Sequence, residues 1–178
     1  MAPQPLYMME LIDLRRADQP DSSRALTVSK LAIPATLSRK VVNFAPGGGL
    51  GEIAWTIPQL DPIEPKFELK GYDVDVMSSF GIVNGTLDKW TFAGSIRQKQ
   101  GGTALPVRAV IEGEIAEMTP DEFNVGVFFG MNFTIKQVTF LNFSVNDREV
   151  IYWDFYGREA RSNGVAWAQD SYTALGVL

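Results

Sequence analysis

Between Trp90 and Lys99 apolar and polar positions alternate. Trp90, Phe92, Gly94 and Ile96 share one face, and Thr91, Ser95, Arg97 and Lys99 share the other. Successive strand side chains point to opposite sides of a sheet, so this segment predicts a strand with one buried and one wet face. Val107 to Ala116 repeats the pattern, with Val107, Ala109, Ile111 and Ile115 opposite Arg108, Glu112 and Glu114. The link Gln100-Gly101-Gly102-Thr103 supplies glycines able to take positive φ, which predicts a long hairpin.

A third β region runs from about Met131 to Phe155. Phe133, Ile135, Leu141, Phe143 and Val145 alternate beside Val138 and Phe140, so its middle is apolar on both faces and predicts a strand covered on two sides. Asn146-Asp147 tolerates the left-handed conformations of a tight turn, and Val150 to Trp153 resumes β character, giving a second hairpin. Ala25 to Ile33, Thr36 to Phe44, Glu52 to Ile57 and Lys66 to Lys70 read as shorter strands. Asp73 suits a helix N-cap, with Val74, Met77 and Phe80 on one face and Gly81 placed to end it. After Asn163-Gly164, the residues Val165, Ala168, Tyr172 and Leu175 fit a second short helix before Gly176. The stretches Ala45 to Gly51 and Pro58 to Pro65 read as connections, and no repeat or composition shift divides the chain. The expected fold is mainly β, sandwich-like or barrel-like, with one or two flanking α-helices in one domain over 1–178.

Composition narrows the function. At 178 residues the folded surface should be roughly 8,600 Å² against about 28,600 Å² unfolded, enough for a sizeable core. There is no cysteine, so no disulfide framework, thiolate nucleophile or Cys-type zinc site. There is no histidine, which removes the readiest proton carrier at neutral pH and the commonest metal ligand. The net charge of −5 argues against a nucleic-acid footprint, because phosphate binding needs a cationic face. The longest uncharged stretch, Phe123 to Ile135, is too short and too interrupted to span a bilayer. The N-terminus has no basic leader, so no membrane is expected and a cytoplasmic site of synthesis fits.

Glu112 and Glu114, two apart on one strand face, could form a glycosidase-like carboxylate pair, but a solvated strand face explains them more simply. Gly47-Gly48-Gly49 with Gly51 suggests a phosphate loop, yet Leu50, Gly51 and Glu52 stand where a Walker motif needs Lys and Ser or Thr. Trp55, Trp90, Trp153 and Trp167 could stack on sugars, although Trp90 and Trp153 lie in strands that favour a core role. Arg15-Arg16 and Arg39-Lys40 are too small and too scattered among acids for nucleic acid. From residues alone the reading is a structural β-rich module, with no enzyme, cofactor or metal site expected.

Four stretches in order carry a resemblance: LTVSKLAI (Leu26 to Ile33) before the APGGGLG loop, WTFAGSIRQKQGGTALPVRAVIEGEIAEM (Trp90 to Met118), FSVNDREVIYWD (Phe143 to Asp154) and NGVAWAQDSYTALGVL (Asn163 to Leu178). Together the chain resembles the major tail tube protein family of contractile-tailed phages and R-type pyocins. Asp147 stands where that family often has glycine. The resemblance implies a homo-hexameric ring in which long hairpins join into a ring-wide β-barrel, with rings stacked into a hollow tube. It further implies a surrounding tail sheath protein, baseplate and tail terminator proteins at the ends, and DNA passing through the lumen without specific binding. The location implied is the virion tail, assembled in the host bacterial cytoplasm. On this reading Glu112 and Glu114 line the lumen, and Gly47, Gly48 and Gly49 sit in an inter-ring contact loop. The alternatives are the tube of a pyocin-like or type VI secretion-like system, a carbohydrate-binding β-sandwich and a β-rich glycosidase.

Overall fold

The computed structural model describes residues 5–17, 19, 21–80, 87–99 and 101–176. It is mainly β, with two short helices and one large antiparallel sheet. The elements are β1 (Tyr7–Arg16), β2 (Val28–Leu31), β3 (Arg39–Phe44), β4 (Ile53–Leu60), β5 (Lys66–Lys70), α1 (Val74–Ser78), β6 (Asp88–Gln98), β7 (Leu105–Pro120), β8 (Gly130–Val145), β9 (Arg148–Asp154), β10 (Glu159–Ser162), β11 (Val165–Ala166) and α2 (Gln169–Ala174). The large sheet runs β1-β6-β7-β8-β9-β10-β11, and β8 also pairs with β5, which in turn pairs with β2. β3 and β4 make a separate two-stranded sheet.

The predicted long hairpin is present as β6 and β7, with Trp90 opposite Ile111 and Phe92 opposite Ala109. Their inward positions are buried as the alternation requires: Trp90, Phe92, Ala109, Ile111 and Ile115 are closed to solvent. The second hairpin turns at Asn146 and Asp147, both in the left-handed region with φ of 52° and 58°. β8 forks. Its first half pairs with β5, Phe133 opposite Phe67, and its second half pairs with β9, Leu141 opposite Trp153. Between the halves β8 holds two extra residues relative to β7: Glu114 pairs with Lys136 and Glu112 with Phe140. A two-residue insertion preserves the side-chain phase, so Phe133, Ile135 and Leu141 all stay inward. On β7 one extra residue follows Ile115, which flips the phase and turns Met118 toward the core in place of Glu117.

The sheet curls until β5 lies over β6. Phe67 stacks on Phe133 (centroids 5.0 Å apart) and sets its edge against Phe92 at 5.9 Å. Such pairs add about 0.5–1.5 kcal/mol each beyond the area they bury. β2 then approaches β1, where the Arg24 amide donates to the Leu14 carbonyl at 3.2 Å. β1 and β2 do not pair as strands, so no barrel closes within the chain. α1 plugs this end of the curl. Its N-cap Asp73 accepts from the Val76 amide at 3.0 Å and from the buried Arg24 guanidinium at 2.5 Å.

Four expectations need correction. Of the expected face Val74, Met77 and Phe80, only Met77 packs on the core; Val74 and Phe80 are exposed, and the fully buried residue of α1 is Val76, because so short a helix turns only Val76 and Met77 inward. The expected stop at Gly81 lies outside the described residues. β1 was not foreseen as a strand. At the C-terminus Asn163 and Gly164 form the turn of a β10–β11 hairpin, and the helix that follows is confined to Gln169–Ala174 with no buried residue. The stretch from Pro58 is not all connection, since β4 continues to Leu60.

Candidate functional site

The chain places its candidate residues on surfaces rather than in a cleft. Its solvent-accessible area is 11863 Å², roughly 3,000 Å² above that of a compact monomer of this mass. Much of the large apolar exposure falls on three features: the β3–β4 hairpin, the first half of β1 and the loop between β7 and β8.

β3 and β4 pair only with each other and form an arm. Val42 lies opposite Trp55 and Phe44 opposite Ile53, so these four side chains share one face. All are about half exposed. The arm's tip is the predicted glycine-rich loop, turned by the Gly49 amide donating to the Pro46 carbonyl at 3.0 Å. Gly47, Gly48 and Gly51 have open space where a Cβ would stand. No helix follows this loop, so the dinucleotide-type phosphate reading has no support in the backbone.

β1 forms the other exposed feature. It pairs with β6 along one side, and its extra residue near Glu10 resets the phase between Met9 and Leu11. Leu6, Tyr7, Met8, Met9 and Leu11 are exposed around this edge. The β7–β8 loop presents Phe123, Val125, Val127 and Phe128. It is nonetheless firmly anchored: the Asp121 amide donates to the Gly130 carbonyl at 2.9 Å, the Gly71 amide to the Phe129 carbonyl at 3.0 Å, and Tyr72, Phe123 and Phe129 form an aromatic cluster.

Glu112 and Glu114 lie half-buried on the sheet face that points away from the core. Each is in register with a cation, Glu112 with Lys89 and Glu114 with Lys136. Lys89 rests its ammonium 5.0 Å from the Phe140 ring, and Lys136 pairs with Glu117 at 2.5 Å. Contact with Lys136 holds the Glu117 carboxyl below the usual range. Toward β10, Arg161 lies 4.0 Å over Tyr152 and pairs with Glu149 at 3.2 Å and with Glu159. Burial is the main cause that pushes the Tyr152 hydroxyl upward. At the far edge Arg97 pairs with Glu10 at 2.9 Å. The face thus carries both signs in alternation, a pattern suited to a wet surface.

A charge network ties this sheet to β5. Glu68 is buried and is held by Lys30 at 2.7 Å and by Lys70 at 2.5 Å. Those ammonium groups bring its carboxyl down to about 2. Lys70 also reaches Asp121 at 3.4 Å. Among the described residues no group of three or more His, Cys, Asp or Glu could hold a metal ion, and no helix is long and apolar enough to cross a membrane.

The tryptophans divide. Trp90 is core, Trp55 stands exposed on the arm, and Trp153 and Trp167 border an open groove of roughly 1180 Å³ with Phe155, Tyr156, Tyr172 and Leu175. Sequence reasoning missed the apolar loop around Val125 and the apolar exposure of the arm. The signal for the arm was present, since Val42, Phe44, Ile53 and Trp55 alternate on both strands.

The sequence matches the phage tail tube protein FII family over residues 21–176. A comparison with curated proteins finds no match. Among solved structures the chain is similar to the PVC sheath/tube terminator of an extracellular contractile injection system in the extended state, at 12% identity and a TM-score of 0.49, with 78% of this chain and 96% of that one covered. It is similar to the PVC sheath-tube complex at 12% identity and a TM-score of 0.46, covering 76% and 89%. It is also similar to a chain of the anti-feeding prophage baseplate at 8% identity and a TM-score of 0.46, covering 83% and 97%. The family match, spanning most of a β-rich chain, establishes that this protein belongs to the phage tail tube protein FII family and is a structural tail tube protein.

Proposed function

We propose that the chain acts as one tail tube domain over 1–178, that six copies close into a ring, and that rings stack into the hollow inner tube of a contractile phage tail. The observation that carries this reading is the surface excess of roughly 3,000 Å². A standard interface buries about 800 Å² per partner, so the excess corresponds to several contacts rather than one. Closing a ring also explains an apolar edge strand such as β1, which left bare is a template for aggregation. Gly47, Gly48 and Gly49, at the tip of the arm, contact the next ring.

In this arrangement Glu112 and Glu114 line the lumen together with Lys89 and Lys136. Six copies at −5 give −30 per ring, while the lumen face itself alternates in sign. A phosphate backbone then meets little net attraction and passes without being held. The sheath protein surrounds the tube, terminator and baseplate proteins cap it, assembly takes place in the host cytoplasm, and the chain performs no catalysis and takes no cofactor.

Negative-stain electron microscopy of the purified protein tests the assembly, with rings or tubes expected. A monodisperse monomer at every protein concentration would refute it. In a tube reconstruction, Glu112 and Glu114 on the outer wall would sink the lumen assignment.

A further inference from the structure

The arm and the β7–β8 loop are both apolar, both exposed and at opposite ends of β5. The arm leaves the body through Asp61–Pro65, which lead into Lys66 at the start of β5. The loop is fastened at the other end, where Lys70 meets Asp121 and the Gly71 amide meets Phe129. β5 rises roughly 13 Å between these points. Within one chain no hydrogen bond, ion pair or ring contact joins the two surfaces among the described residues.

Their charges are complementary. Lys40 precedes Val42 by two residues and so borders the arm's apolar face. Glu122 stands directly before Phe123 on the loop. Among the described residues neither Lys40 nor Glu122 has an ion-pair partner, although Asp121 beside Glu122 is engaged with Lys70. The loop is also shaped before any partner arrives, since its aromatic cluster and backbone anchors fix the chain while Val125 and Phe128 point into solvent. An ordered surface that keeps large apolar side chains in water marks an interaction site.

We infer that the apolar face of the arm, Val42, Phe44, Ile53 and Trp55, docks on the β7–β8 loop of a second copy of this chain, with Lys40 set against Glu122. The inference rests on the tube reading and names the receiving surface for the arm. The contact joins two different patches, so it is heterologous and propagates rather than closing on itself as a two-fold dimer would. Burial of the arm also accounts for its existence, because an isolated two-stranded hairpin is marginal in water.

The chain has no cysteine, so cross-linking has no background. Val42→Cys copies are mixed with Val125→Cys copies and treated with a short bismaleimide, while microscopy follows assembly of the same mixture. Cross-linked pairs are expected between unlike copies and not within either population alone. At low salt, Lys40→Glu or Glu122→Lys in the labelled copies lowers the yield several-fold, and the two together restore it. Tubes without the cross-link overturn the inference and leave the tube reading standing. Cross-linked chains without rings or tubes uphold the inference and remove the tube reading. The absence of both overturns both.

Discussion

Gly113 sits where β7 passes the two-residue insertion of β8. A Cβ there would meet Ile135 Cγ2 at 2.7 Å, the Lys136 carbonyl oxygen at 2.9 Å and Val138 Cγ2 at 3.3 Å. Real Cβ atoms do not tolerate the first two contacts, and relief is not cheap. Ile135 is fully buried, and the Lys136 carbonyl belongs to the backbone of the forked strand. Adding one carbon to a filled core costs about 1–3 kcal/mol. With backbone among the obstructions, Gly113→Ala belongs at about 2–3 kcal/mol. At about 2–4 °C per kcal/mol for a chain of this length, the melting temperature falls by about 4–12 °C. Gly47→Ala is the control, because nothing lies within 4 Å of its Cβ and the same added methyl should be neutral or stabilise by less than about 1 kcal/mol. Thermal or urea unfolding of the unassembled protein measures both. If the two variants agree within about 0.5 kcal/mol, β7 and β8 are not in contact as described, and the register around residues 136 to 139 is wrong.

Three further outcomes follow from the same contacts. Asp73→Ala removes the cap of α1 and leaves the buried Arg24 guanidinium without its carboxylate, with the Ser22 carbonyl still accepting from it, so urea unfolding should show a loss of about 3 kcal/mol, whereas Asp73→Asn keeps the cap and loses less. Asp147→Gly relieves a left-handed residue at φ 58°, worth about 1 kcal/mol against about 0.5 kcal/mol of added chain entropy, and a calorimetric melt should rise by a degree or two. The Glu68 carboxyl lies below its unfolded value of 4.5, so its contribution is complete above that pH and fades as the pH falls toward about 2. After screening through the exposed Lys30 the effect is about 1–2 kcal/mol, and a Glu68→Gln variant should show a flatter stability profile between those pH values.

The parts legible in the sequence are those where burial on one side enforces a period of two. β6 and β7 are legible through Trp90, Phe92, Ala109 and Ile111, and β5 was read with its true ends, Lys66 to Lys70. Asn146-Asp147 declared its turn because few residues accept positive φ. β1 was illegible because the extra residue near Glu10 puts Met9 and Leu14 in opposite phases, so YMMELIDLRR shows no single alternation. The insertion in β8 hides for the opposite reason, since two added residues leave the phase intact. α2 has helical spacing yet no buried residue, so the pattern overstated its length. The arm alternates as well as any buried strand does, but Val42, Phe44, Ile53 and Trp55 stay about half exposed in their own chain. The candidate residues Glu112, Glu114 and Gly47 to Gly49 were placed on a polar face and a loop tip from sequence, while the cations opposite the two glutamates required the register.

The arm has a consequence for the free chain over time. A two-stranded hairpin that joins no other strand, and of which only the base around Leu60 packs on the core, opens with a free energy near the bottom of the range that native segments span, far below that of the strands around Trp90 and Ile111. In a newly made copy the amides of Val42 to Phe44 and Ile53 to Trp55 therefore exchange with solvent early, and a protease reaches the APGGGLG tip before it reaches the sheet. Incorporation slows both. The projection that stays open in the free chain is thus also its most readily cleaved segment.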